Sequence, residues 1–173
     1  MRIDAAFKAG DLAALRDAVD DPSVIPNGTM PLAIGSCLEY AIYHSPVAFI
    51  RELLQLGANP VPPDHIGFPP LIAALSCSRS EPGSPARPDV ADILSLLLKF
   101  GADPAQRGIN DYTALHMAVA ERNRPAVELL LRAGADPGAR TRIDDLETPG
   151  EMAEQAGLTQ IARLLADAAG RPR

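Results

Sequence analysis

Aromatic residues are scarce in this 173-residue chain, which has no tryptophan, four phenylalanines and three tyrosines. Leucine and alanine fill the apolar positions instead, a composition that favours helices over strands. No apolar run approaches the roughly 20 residues that a membrane-spanning helix needs. The first 19 residues also lack an uninterrupted apolar stretch. We therefore expect no membrane contact, no secretory signal and a cytoplasmic location, with export by a route that reads no N-terminal signal left open.

Cysteine is equally rare, and basic residues are outnumbered by acidic ones. Cys37 and Cys77 are too few for a disulfide framework and lack the spacing of metal ligands. We expect both to be reduced and to occupy equivalent positions in repeated units, where small residues pack. The net charge of −6 repels phosphate backbones, so we expect no nucleic-acid partner and favour a partner with a basic surface.

An internal repeat is the main positive feature of the sequence. The pattern Leu-Leu-x-x-Gly-Ala-Asn/Asp-Pro begins at Leu53, Leu97 and Leu130. Its glycines, at positions 57, 101 and 134, are 44 and 33 residues apart. Fixed periods of this length are typical of stacked repeat proteins. Glycine at the end of an apolar helical segment indicates a helix C-terminus, because the residue there usually adopts the left-handed conformation.

Apolar residues recur at helical spacing in two segments of each unit. The earlier segment of each unit carries Leu38, Ala41 and Ile42; Leu71, Ala74 and Leu75; and Leu115, Ala118 and Val119. The later segment carries Ile50, Leu53 and Leu54; Leu94, Leu97 and Leu98; and Val127, Leu130 and Leu131. Each set lies on one face of a helix. A helix pair of this kind cannot bury both apolar faces alone, so neighbouring units must stack.

The unit with the clearest pattern begins Thr-Ala-Leu-His-Met-Ala at Thr113 and continues Val-Glu-Leu-Leu-Leu-Arg-Ala-Gly-Ala-Asp from Val127. These residues resemble the ankyrin repeat, from its Thr-Pro-Leu-His start to its Gly-Ala-Asp end. Divergent segments at 3–12 and 148–165 extend the resemblance over nearly the whole chain. The resemblance implies an all-α solenoid of stacked helix-turn-helix units, with about three central repeats between divergent capping repeats. It also leads us to expect a small stand-alone protein of bacterial origin.

The resemblance divides the chain into one domain of five units. We expect a capping repeat at 1–30, repeats at 34–66, 67–110 and 111–143, and a capping repeat at 146–173. A loop insertion at 78–88 separates the two helices of one repeat, and its proline and serine content excludes helix. We expect this insertion to be mobile and dispensable for folding. A contact loop that uses Arg79, Glu81 and Arg87 is the alternative.

Catalytic chemistry has weak support in the sequence. The resemblance implies that His116 and Thr113 bond to each other and fix the first turn of a helix. Cys77 and His44 fall at equivalent helix ends in adjacent repeats, so an enzyme with a site there is a rival interpretation. A nucleophile needs a base and an orienting group, and the sequence shows neither beside Cys77. We predict a protein that is not an enzyme, with no catalytic residue, no metal site and no cofactor.

Binding of another protein is the function that the resemblance implies. The loops between repeats, or fingers, would place His65, Ile66 and Phe68; Ile109, Asn110 and Tyr112; and Asp144, Asp145 and Glu147 at their tips. The concave face of the first helices would carry Tyr40, Tyr43, His44, Ser76, Cys77, Ala120 and Glu121. Exposed aromatic residues anchor interfaces, and loop acids suit a basic partner. We therefore expect an interaction scaffold that is monomeric when free; an immunity- or inhibitor-type protein that neutralises a toxin or enzyme, and a purely structural protein, are the alternatives.

Overall fold

The computed structural model describes residues 2–28, 36–63, 67–79, 86–142 and 146–170. Within these ranges it contains ten α-helices and no strand, which confirms the all-helical prediction. The helices are α1 (Arg2–Ala9), α2 (Leu12–Ala18), α3 (Cys37–His44), α4 (Val47–Gln55), α5 (Pro70–Ser76), α6 (Val90–Lys99), α7 (Ala114–Ala120), α8 (Arg124–Arg132), α9 (Pro149–Gln155) and α10 (Thr159–Ala169). Short 3₁₀ turns lie at Pro22–Val24 and Ile109–Asp111. None of the described helices is both long enough and apolar enough to cross a membrane.

The helices form antiparallel-type pairs that stack in line along the chain. Each odd-numbered helix packs against the even-numbered helix that follows it. The first helices α1, α3, α5, α7 and α9 also contact one another in that order, and the second helices α4, α6, α8 and α10 form a second row. Each pair therefore buries its remaining apolar face against the next pair, as the repeat pattern requires.

The two repeated apolar patterns form the core of this stack. All eighteen positions are buried except Leu98 and Leu131, which are half-buried. The alanines in the middle of the first helices, Ala41, Ala74 and Ala118, have no exposed surface. Their small side chains allow the first helices of neighbouring pairs to approach closely.

The repeated glycine ends α4, α6 and α8 in the same way. Gly57, Gly101 and Gly134 have φ angles of 94°, 92° and 87°, in the left-handed region that glycine reaches most easily. The alanine after each glycine donates its N–H to the carbonyl five residues earlier, at distances of 2.9, 3.0 and 3.0 Å. This is the Schellman motif, and it turns the chain out of each second helix into the following loop.

The two cysteines do not occupy equivalent positions, so that expectation is wrong. Cys37 is the first residue of α3, whereas Cys77 follows the last residue of α5. Cys37 is fully buried, and Cys77 is half-buried. The helical position that corresponds to Cys77 in the preceding pair is His44, which is exposed.

The insertion at 78–88 is held at both of its described ends, and Glu81 lies outside the described residues. Arg79 donates from Nε and Nη2 to the carboxylate of Glu121, at 2.5 and 3.0 Å, in the next helix pair. Arg87 donates from Nη1 to the carbonyl of Ile42 at 2.8 Å, near the C-terminus of α3, and forms a two-point ion pair with Asp89. A cation at a helix C-terminus is favourable. Arg79 and Arg87 are therefore tied to the helical stack rather than mobile.

Candidate functional site

Three loops connect successive helix pairs on the side where the sequence places the candidate site. We call them finger 1 (56–69), finger 2 (100–113) and finger 3 (133–148). The expected tip residues His65, Ile66, Asp144 and Asp145 lie outside the described residues, as does the side chain of Ile109. Asn110 is exposed and has a left-handed backbone with φ 55°, a conformation that asparagine tolerates.

Fingers 1 and 2 border an open groove of about 1050 Å³. Finger 1 contributes apolar residues to it, including Val61, Pro62 and Phe68, while finger 2 contributes Arg107 and Asp111. Phe68 is 39% exposed and Val61 is 38% exposed. The sequence pointed to Phe68, but not to Val61, which has no counterpart in the repeat pattern. The two side chains give the groove an accessible apolar part.

Tyr112 occupies the loop position of Phe68 one repeat later, but its surroundings differ. Its ring is half-buried and stacks on the His116 ring, with centroids 5.5 Å apart and planes 18° apart. Tyr112 therefore contributes to packing within its own repeat and presents less of its ring than Phe68 does.

His116 links two successive repeats through both ring nitrogens. Nδ1 lies 3.2 Å from the N–H of Thr113, and Nε2 lies 3.1 Å from the carbonyl of Glu147. Burial lowers the pKa of His116 and favours the neutral ring. Nδ1 then accepts from Thr113 while Nε2 donates to Glu147, so the ring is a structural link, as the resemblance implies.

Glu147 lies at the base of finger 3. It is half-buried, and its carboxylate accepts a hydrogen bond from the side chain of Gln155. Its N–H donates to Oγ1 of Thr141 at 3.1 Å, and its carbonyl accepts from the N–H of Thr141 at 3.0 Å. These contacts close the loop at its base and leave the Glu147 side chain directed by its neighbour in α9.

Polar contacts connect the loops in series. Asn27 bonds to the backbone of finger 1, at Gly57 and Asn59, with distances of 2.9 and 2.7 Å. Gln106 of finger 2 donates to the carbonyl of Pro62 in finger 1 at 2.7 Å. Each finger is thus fixed relative to the loop before it.

Asp111 makes the corresponding connection between fingers 2 and 3. It accepts hydrogen bonds from the backbone and guanidinium of Arg142 at 2.6 and 2.7 Å, and from Arg107 at 2.7 Å. The hydrogen bond from the Arg142 side chain, with further help from Arg107, lowers the pKa of Asp111 to about 2. The carboxylate therefore stays ionised and holds both arginines at neutral pH.

The expected concave residues fall into two groups. Tyr43 is half-buried and His44 is exposed, with its ring 4.5 Å from that of Tyr40. Tyr40 itself is 4% exposed and donates its hydroxyl to Asp4, so its placement on the accessible face is wrong. The remaining side chains, of Ser76, Cys77, Ala120 and Glu121, are half-buried, and Glu121 is covered by Arg79.

Cys77 and His44 do not form an activated pair in the described structure. The Cys77 thiol lies 3.4 Å from the carbonyl of Ala73. Burial raises the pKa of Cys77, and burial lowers the pKa of His44. A protonated thiol is a poor nucleophile, so this geometry gives no support to the rival enzyme site. Among the described residues, no group of three or more His, Cys, Asp or Glu side chains could hold a metal ion.

Glu39 is a feature of finger 1 that the sequence analysis missed. It lies in α3, is 4% exposed, and accepts the N–H of Phe68 at its Oε1 atom, 3.1 Å away. Burial raises its pKa, although the Phe68 N–H acts in the opposite direction. Its position three residues after Ser36, equivalent to that of His116 after Thr113, was the available signal.

Comparison with known proteins supports the repeat assignment. Residues 110–142 match the family model described as "Ankyrin repeat". The chain is also similar to "Tyrosine-protein kinase Shark" from Drosophila melanogaster, with 31% identity over 131 residues, or 75% of this chain. That match covers 13% of the relative's length, so the kinase activity of the relative does not transfer to this chain.

Ankyrin repeats generally mediate interactions between proteins and are typically not enzymes. The matched segment contains the His116 link, α7 and α8, and the helix pairs on both sides of it stack in the same manner. Residues 110–142 are therefore an ankyrin repeat, and the chain has the fold of an ankyrin-repeat helical solenoid.

Proposed function

We propose that this chain is a scaffold that binds a partner protein through the fingers and the adjoining concave ends of the first helices. The observation that carries the proposal is the exposure of Phe68 and Val61 beside the groove between fingers 1 and 2. Large apolar side chains in a polar-rimmed groove contribute strongly to binding when a partner excludes water from them. Phe68 is the principal anchor.

The serial contacts between fingers support the same function. Gln106 joins finger 2 to finger 1, and Asp111 joins finger 2 to finger 3 through Arg142. A surface that is ordered before binding loses less conformational entropy when a partner docks. The polar contacts therefore present the anchor in a fixed geometry without contributing apolar area themselves.

The chemistry of the partner follows from charge. The chain carries a net charge of −6, and the expected tip acids Asp144 and Asp145 adjoin Glu147 in finger 3. A partner with an apolar residue opposite Phe68 and a basic region opposite finger 3 would complement both features. The acids act mainly on association rate, while the apolar contact acts on the lifetime of the complex.

Affinity capture with matched variants tests this proposal. The wild-type chain, Phe68→Ala and Leu56→Ala are each used as bait in lysate of the native cell, and captured proteins are quantified by mass spectrometry. Leu56 is a suitable control because it is 43% exposed, close to the value for Phe68, and does not line the groove. Both variants remove an exposed apolar side chain, so nonspecific adhesion falls equally in both.

The expected result is a stoichiometric protein that wild type and Leu56→Ala retain and that Phe68→Ala loses. Retention of every captured protein by Phe68→Ala would place the interface elsewhere. Folding of each variant is checked by circular dichroism before capture, so that loss of the partner reports on the surface.

A further inference from the structure

The third residue of the first helix differs in each central repeat. It is Glu39 in α3, Ile72 in α5 and His116 in α7, counted from the N-cap residues Ser36, Pro69 and Thr113. All three side chains are buried. This position faces the loop that leads into the next repeat, because Glu39 and His116 both bond to the residue that immediately precedes the next N-cap.

The direction of the hydrogen bond is opposite in the first and third of these repeats. His116 donates through Nε2 to the carbonyl of Glu147 in finger 3. Glu39 accepts from the N–H of Phe68 in finger 1, because a carboxylate oxygen at this site can only receive that hydrogen. The exchange of histidine for glutamate thus reverses which backbone group of the loop turns towards the helix.

The backbone of finger 1 is adapted to this reversal. Gly67 has a left-handed φ of 68°, and a Cβ atom at this residue would overlap Oε2 of Glu39. Glycine therefore serves both the conformation and the close approach of the carboxyl group. Phe68 follows directly, so the same contact fixes the peptide that carries its side chain.

Stacking of the repeats does not require a carboxyl group at this position. Ile72 occupies it in α5, where it is 2% exposed and packs without a polar side-chain contact of its own. Within the described part of the chain, Oε2 of Glu39 has no hydrogen-bond partner. Burial of an incompletely bonded carboxyl group opposes folding. The benefit of Glu39 must then lie in what its one loop contact does, which is to orient Phe68.

We infer that Glu39 is a positioning residue for partner binding, which holds the Gly67–Phe68 peptide so that the Phe68 ring stays exposed on the groove. The inference rests on the proposed function for its consequence, but its structural part concerns the free protein alone. Glu39 does not touch the partner; it acts through Phe68.

Two substitutions of similar size separate positioning from general packing. Glu39→Met removes the acceptor and fills the site with apolar atoms, as Ile72 does in the next repeat. Glu39→Gln keeps an acceptor oxygen for the Phe68 N–H. Glu52→Met in α4 is the control for the same chemical change away from finger 1. Hydrogen exchange of the Phe68 amide is followed by NMR in each free protein, and capture of the partner is measured alongside.

The expected result is roughly tenfold faster exchange of the Phe68 amide in Glu39→Met than in wild type, since one hydrogen bond is lost. Glu39→Gln and Glu52→Met should exchange like wild type. Gly67→Ala, which pushes the loop away from the carboxyl group, should also accelerate exchange. Wild-type exchange rates in both Glu39→Met and Gly67→Ala would overturn the inference, whether or not either variant binds.

The capture arm tests the link to binding. Partner capture should fall in Glu39→Met and be retained in Glu39→Gln. Faster Phe68 exchange with undiminished capture would overturn the positioning role for binding. If Phe68→Ala itself retains the partner, the proposed function fails at this surface, and the exchange result still shows whether Glu39 fixes the loop.

Discussion

Phe68 and Tyr112 show how the setting of a single residue decides its role. Both directly precede the first helix of a repeat, and both are aromatic. Tyr112 stacks on His116, three residues after its N-cap, whereas the corresponding residue for Phe68 is Ile72. Sequence position predicted that both side chains lie in finger loops, but the ring contacts depend on the neighbouring side chain. Phe68 is consequently the more accessible of the two.

Glu39 gives a residue-scale prediction about pH. Its ordinary pKa is 4.5, and burial raises the pKa in the folded protein. Stability from the neutral carboxyl is therefore fully present below pH 4.5 and is lost as pH rises through the folded pKa. Glu39→Gln cannot ionise, so its stability relative to wild type should increase from about pH 4 to about pH 8.

Urea unfolding of both proteins at the two pH values measures this difference. The buried His116 is present in both proteins and cancels in the comparison. A stability difference that does not change with pH would show that Glu39 ionises in the folded protein as readily as in the unfolded chain.

At the scale of the elements, the helix pattern was predictable and the loop anchors were not. The Leu-Leu-x-x-Gly-Ala pattern is local, because side chains three and four residues apart share a helical face and the glycine follows directly. The contacts of Arg79 with Glu121 and of Arg87 with Ile42 join residues 42 and 45 positions apart. No local pattern encodes such pairs, since they depend on how the repeats stack.

Leu97 in α6 tests the core of the stack. It has no exposed surface, so Leu97→Ala should lower the free energy of unfolding by about 2–5 kcal/mol through lost burial and a cavity. The adjacent Leu98 is half-buried, and Leu98→Ala should cost less because water can fill part of the space. Denaturant titration of both variants gives the comparison, and equal small losses would contradict the assignment of the inward face.

The insertion provides a second element-scale prediction. Arg87 has a side-chain exposure of 14% and bonds to both α3 and Asp89, whereas Arg79 is 55% exposed. Arg87→Ala should therefore cost about 1–3 kcal/mol, the scale of a charge-assisted hydrogen bond, and Arg79→Ala at most about 1 kcal/mol. Deletion of residues 80–85 alone should leave cooperative unfolding intact.

Urea unfolding of the three variants distinguishes the anchored ends from the segment between them. Deletion of the whole insertion, residues 78–88, should be more harmful than the shorter deletion because it removes Arg87. Equal stability of both deletion variants would show that the anchors contribute nothing.

At the scale of the whole molecule, function follows from a linear stack with loops on one side. Each helix pair contacts its neighbours, so the loops recur in register and form a continuous series. The fold and the loop locations could be predicted because the repeat carries them. The accessible part of the site could not, since the exposure of Val61, the covering of Glu121 by Arg79 and the orientation of Phe68 arise from side chains outside the repeat pattern.

The affinity of the purified captured partner for three forms of this chain tests the central claim most directly. Titration calorimetry on wild type, Phe68→Ala and Leu56→Ala should give a dissociation constant weakened by about 1–2 kcal/mol, or roughly fivefold to thirtyfold, for Phe68→Ala. Leu56→Ala should bind like wild type. Unchanged affinity of the folded Phe68→Ala protein would contradict the assignment of the groove between fingers 1 and 2 as the binding surface.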